Sequence, residues 1–195
     1  MTKKDKNLKR TIIILLLMSL AMVGVFAGIS VVRRFYPLRH VEIIKHYSDF
    51  HGLDKILVIS LIHAESRFEP LAVSPVGARG LMQLMENTAN WAAEEMGLEN
   101  YNWETIFEPE MNIRIGTWYL ARLLNQFDNN LHTALAAYNA GSGNVRRWLS
   151  DADYSQDGYN LDEIPFGETR RYIRRIEQNL TIYRVLFPIY DFLGN

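Results

Sequence analysis

The chain has 195 residues, 48% of them hydrophobic, which excludes a wholly disordered protein and suits one domain with an appendage. Seven basic residues and only Asp5 fall within residues 1–34, so residues 35–195 carry 14 basic and 21 acidic residues, a net charge of −7. A domain this acidic is a poor partner for nucleic acid, and the absence of cysteine excludes disulfides, thiol nucleophiles, Cys-containing zinc sites and lipidation of a cysteine.

Lys3, Lys4, Lys6, Lys9 and Arg10 precede an uncharged apolar run, residues 11–32, which is about the length an α-helix needs to cross a bilayer. The excess of positive charge before the run predicts a cytoplasmic tail over 1–10, a transmembrane anchor over 11–32, a juxtamembrane link over 33–40 and an exported domain over 41–195. A cleaved signal peptide is the alternative, with Val25-Phe26-Ala27 as its processing site. The apolar run continues past Ala27 and exceeds an ordinary signal core, which favours a retained anchor.

The exported domain reads as all-α. A helix over 41–51 has Val41, Ile44 and Tyr47 on one face and ends at Gly52. Asp54 is placed to cap a helix over 55–66. Ile56, Leu57, Val58, Ile59, Leu61, Ile62 and Ala64 surround most of that cylinder, so it belongs at the centre of the core. Pro70 and Pro75-Val76-Gly77 mark a loop over 67–79. Helices are expected over 81–96, from Pro109 to Phe127, over 133–139, over 144–149 and from Glu168 to about Phe187, before Pro188. Gly141-Ser142-Gly143 separates the two short helices, the region of Trp103 is irregular, and 150–166 is a polar, aromatic loop.

Four short motifs carry chemistry. Glu65-Ser66 ends the apolar helix, where burial and the helix dipole both oppose ionisation and raise a carboxyl pKa, as a general acid near neutral pH requires. A Glu merely exposed at the helix end, with Arg67 as counter-ion, is the plain alternative. In Gly80-Leu81-Met82-Gln83 the glycine permits close backbone approach and the glutamine offers a donor and an acceptor; a simple helix start is the alternative. In Ala137-Tyr138-Asn139-Ala140-Gly141 an aromatic ring and an amide suit a sugar, or else form a helix C-cap over a buried Tyr138. In Glu168-Thr169-Arg170-Arg171-Tyr172 the tyrosine either reaches a carboxylate or fills the core.

These motifs, in this order, together with Ser74-Pro75-Val76-Gly77-Ala78-Arg79, resemble the soluble-lytic-transglycosylase (SLT) family of peptidoglycan-cleaving enzymes, over about residues 41–187. The resemblance implies a goose-type lysozyme-like α-helical fold and makes 41–195 a catalytic domain. It further implies cleavage of the β-1,4 bond between N-acetylmuramic acid and N-acetylglucosamine without water, leaving a 1,6-anhydromuramoyl end. By motif match Glu65 is the single acid/base. Ser74, Met82, Gln83, Tyr138 and Asn139 contact the glycan, Tyr172 orients Glu65, and Ser66, Gly80 and Glu168 support the site. One carboxylate suffices because the attacking hydroxyl is intramolecular. A hydrolase would need a second carboxylate, and the sequence assigns none. A lysozyme-type hydrolase and a catalytically silent wall-binding scaffold are the competing readings.

The expected partners are peptidoglycan glycan strands and the membrane, through the N-terminal helix, but not nucleic acid. Partners in wall remodelling or in a secretion machine are unassigned by the sequence. His63-Ala64-Glu65 lacks the second histidine of a His-Glu-x-x-His site, so no metal or other cofactor is expected.

Overall fold

The computed structural model describes residues 3–193, which fall into two compact units dividing between Pro37 and Leu38. The first unit is one helix, α1 (Lys3–Phe35), whose stretch Lys9–Phe35 is long and apolar enough to cross a membrane and whose apolar side chains are exposed. The expected link over 33–40 is thus helical as far as Phe35.

The second unit is all-helical apart from two isolated β-bridges among the described residues. It comprises α2 (Val41–His51), α3 (Lys55–Ser66), α4 (Glu86–Glu95), a 3₁₀ turn (Thr105–Phe107), α5 (Pro109–Gln126), α6 (Leu131–Ala140), α7 (Ser142–Leu149) and α8 (Gly167–Leu193). Helix α3 is its axis. Asp54 caps it by accepting from the Ile56 amide at 2.8 Å, and Leu57, Val58, Ile59, Leu61 and Ile62 are all buried. Each such side chain contributes about 1.5–3 kcal/mol on burial. Helix α8 packs along α3, while α2 and α6 tie α3 and α8 to the long helix α5. The polar Asn179 on α8 donates to the Ser60 carbonyl on α3 at 3.1 Å, so the interface is fastened as well as packed.

Four expected boundaries shift for local reasons. Residues 81–85 are not helical; α4 starts at Glu86 because Gly80 and Gln83 have φ of +79° and +46°, which fold Gly80–Leu84 into a turn bridged to Arg79. Helix α6 starts at Leu131, two residues early, because the Asn130 side chain accepts from the Thr133 amide. Helix α7 starts at Ser142, since Gly141 alone, with φ +86°, separates it from α6. Helix α8 runs on through Pro188, whose ring removes one hydrogen bond without ending the ladder.

Candidate active site

The end of α3 brings the site together. Glu65 lies one residue from the last position of the helix and is half-buried. The Tyr172 hydroxyl, on α8, donates to Glu65 Oε1 at 2.6 Å. Burial pushes the Glu65 pKa up to about 7, against that hydrogen bond and the positive charge of Arg175, both of which favour the carboxylate. Arg175 also donates through Nη1 to the Ala64 carbonyl at 3.3 Å. The charge acting on Glu65 is Arg175, not the Arg67 of the plain alternative, which is exposed and terminates α3 with φ +53°. Burial raises Tyr138 and Tyr172 well above the ordinary tyrosine value, with the nearby Glu65 charge adding to it. Both rings stay neutral, able to donate hydrogen bonds but not to take up protons.

The turn that carries Gly80 to Gln83 is held against this acid from two sides. The Ser66 hydroxyl lies 2.8 Å from the Leu81 carbonyl, to which it donates. The Tyr138 hydroxyl, from α6, donates to the Met82 carbonyl at 2.9 Å. Beneath the turn, the buried Asn112 of α5 accepts from the Met82 amide at 2.7 Å and donates to the carbonyls of Arg79 and Ile106. The glycine at position 80 is required here, since a Cβ would sit 2.0 Å from Asn112 Nδ2. The close approach that Gly80 permits is thus to Asn112.

Met82 is a correction. Its side chain is fully buried, and a Cβ at Gly116 would lie 2.3 Å from its Sδ, so it packs into α5 and only its backbone faces the site residues. The exposed methionine of the segment is Met85, at 44%. Gln83 is half-buried, and its amide nitrogen donates to the carbonyls of Ala72 and Gly80 at 3.1 and 2.9 Å. Its carbonyl oxygen is the group left to meet a ligand. Ser74 accepts from the Ala78 amide at 2.9 Å and stabilises the preceding turn.

The third and fourth motifs are joined directly. The Thr169 hydroxyl donates to Asn139 Oδ1 at 2.7 Å, which fixes the amide and leaves its Nδ2 as a donor. Arg170 is structural, donating to the Ile164 and Pro165 carbonyls at the end of the 150–166 loop. Glu168 is exposed in the first turn of α8, where a negative charge suits the helix dipole. A cavity of about 330 Å³ lined by Phe127, Arg146, Leu149 and Tyr159 includes none of the motif residues.

Asn112 and Arg175 escape a motif reading, and Thr169, inside the fourth motif, carries no expected role of its own. Asn112 had a signal, because it shares the buried stripe of α5 with Gly116, Leu120 and Leu123. A polar residue in an apolar register is held there by hydrogen bonds. Arg175 lies three positions after Tyr172, on the same side of α8.

The family model that matches the chain is the transglycosylase SLT domain, over residues 42–161, which stops short of Tyr172. The chain is 36% identical over 151 residues to the soluble lytic murein transglycosylase of Salmonella typhimurium, covering 76% of this chain and 23% of that protein. It is 34% identical to the membrane-bound lytic murein transglycosylase F of Desulfosudis oleivorans, over 78% of this chain and 36% of the relative. Among solved structures, an inactive glutamate-to-glutamine mutant of the lytic transglycosylase Slt from Pseudomonas aeruginosa matches with a TM-score of 0.68 and 36% identity, over 76% of this chain and 24% of that one. The chain thus spans about a quarter of the length of the Salmonella and Pseudomonas proteins. Its all-α second unit has their lysozyme-like fold, and the chain belongs to the transglycosylase SLT domain family.

Proposed function

We propose that this protein is a membrane-anchored peptidoglycan lytic transglycosylase with Glu65 as its single acid/base. The observation that carries the reading is the Glu65 carboxyl itself, with its pKa near 7 and a tyrosine hydroxyl at 2.6 Å. Such a group is protonated often enough to give a proton to a glycosidic oxygen, and ionised readily enough to take one back. Family membership and relatives named lytic murein transglycosylases support the substrate class.

The bond broken joins N-acetylmuramic acid to N-acetylglucosamine. Glu65 protonates the leaving oxygen as the glycosidic bond opens. The carboxylate then removes the proton from the muramoyl 6-hydroxyl as that oxygen closes on C1. The product carries a 1,6-anhydro ring, and no water is consumed. Tyr172 holds the carboxyl in position, while Gln83, Tyr138 and Asn139 orient the sugars; Ser74 contacts the glycan from the preceding turn. Glu168 and Ser66 support the ends of α8 and α3.

Helix α1 crosses the membrane with its lysine-rich end in the cytoplasm, which places the second unit on the side where the wall lies. The membrane-bound relative is in keeping with this arrangement. The test is release of soluble fragments from purified wall sacculi by the full chain in detergent, beside Glu65→Gln. The wild type releases fragments and Glu65→Gln does not; equal release by both would remove Glu65 from the reaction.

A further inference from the structure

Aromatic rings continue outward from the site. The Tyr138 ring lies 5.3 Å from Tyr119 on α5, Tyr119 lies 6.4 Å from Trp91 on α4, and Trp91 meets Trp118 on α5 edge-to-face at 5.1 Å. The run starts near Glu65, whose charge acts on Tyr138, the residue that holds the Met82 carbonyl. It ends at the surface, where Trp91 is 38% exposed. The Arg122 guanidinium lies 5.7 Å from the Trp91 ring and 5.9 Å from the Trp118 ring. Beyond Trp118 the surface opens into two hollows of about 470 and 460 Å³ that share His51 and Trp118, with Arg114 in one and Arg122 in the other.

Trp118 packs against the core that α4 and α5 form through Ala89, Ala92, Ala93 and Ile115, whereas the Trp91 indole is exposed beside it. Aromatic faces suit the apolar faces of sugar rings, and arginines suit carboxylates. In a domain of net charge −7, a cationic and aromatic patch linked to Tyr138 through the Tyr119 ring has a specific complement: a saccharide that carries acid groups.

We propose that Trp91, Trp118 and Arg122 form an outer subsite, which holds a distant sugar of the bound glycan strand and the carboxylates of its peptide stem. This rests on the function proposed above. The subsite gives the enzyme a preference for long, stem-bearing strands over short fragments.

The test compares the full chain in detergent with Trp91→Ala and Arg122→Gln on three substrates: long stem-bearing strands, the same strands stripped of stems, and a short stem-bearing tetrasaccharide. Thermal melts establish that each variant is folded, and Arg122→Gln, an exposed change, keeps the test open should Trp91→Ala unfold. On long stem-bearing strands kcat/KM falls about tenfold in Trp91→Ala, as loss of one aromatic anchor produces. The tetrasaccharide is cleaved as by wild type. Arg122→Gln loses activity only on the long stem-bearing strands. Variants that cleave long strands as well as wild type, or that lose long and short substrates equally, would overturn the subsite. Failure of the wild type on all three would instead overturn the enzymatic reading, and the subsite with it.

Discussion

Tyr172 and Glu65 are 107 positions apart in the chain and 2.6 Å apart in space, hydroxyl to carboxylate. The pair exists because α8 packs along α3, the closest helix partnership in the domain. Removing the hydroxyl with Tyr172→Phe takes away a hydrogen bond that favours the charged form, so the Glu65 pKa rises further above about 7. The basic limb of the kcat/KM profile, where the acid loses its proton, moves to higher pH. Activity at neutral pH falls by roughly 10- to 100-fold, as loss of an oriented acid implies. A pH–rate profile of the variant checks both effects.

Glu65 also makes stability depend on pH. Its carboxyl holds a proton in the folded state up to about pH 7, against an ordinary value of 4.5. Below pH 4.5 the folded and unfolded states are both protonated and the residue costs nothing. Between about 4.5 and 7 the unfolded state ionises first, and stability is lost as pH rises, to a limit on the order of 3 kcal/mol. Glu65→Gln removes that cost. It is expected to melt higher than wild type at pH 8 and at nearly the same temperature at pH 4.5, by calorimetry at both values.

Asn112 is the support under the Gly80–Gln83 turn. Asn112→Leu leaves the Met82 amide and the buried Ile106 carbonyl without their partner, at a cost of about 2–4 kcal/mol in denaturant melts. Gly80→Ala is expected to be at least as damaging, because it combines φ +79° with a contact of 2.0 Å. Both variants lose glycan cleavage even under conditions where they remain folded, since Gln83 shares the turn.

Helix α1 predicts where the protein is found. The full chain should sediment with membranes and require detergent for release. In spheroplasts, protease added from outside should digest the second unit and spare the lysine-rich end. Recovery of the second unit only after the membrane is opened would reverse the orientation.

Much of this was legible in the sequence. Helical periodicity, the Asp54 cap and the all-round apolar face of residues 55–66 located the central helix. Motif order singled out Glu65 and Tyr172, which the fold brings within 2.6 Å of each other. What the sequence did not carry was the sharing of work between side chains and backbone. Met82 lies in a motif yet is buried, because the turn after Gly80 sends its side chain into α5. Arg67 is only two positions away in sequence, but Arg175 from another helix supplies the charge on Glu65. Such pairings depend on how α3 and α8 dock, which local pattern does not encode.

The central claim is that one carboxyl, Glu65, breaks the glycan without water. Mass analysis of the fragments released from sacculi tests it most directly. The account predicts muropeptides lighter by one water than hydrolytic products, absent when Glu65→Gln is used. Fragments with intact reducing ends would show that water had attacked, and would contradict it.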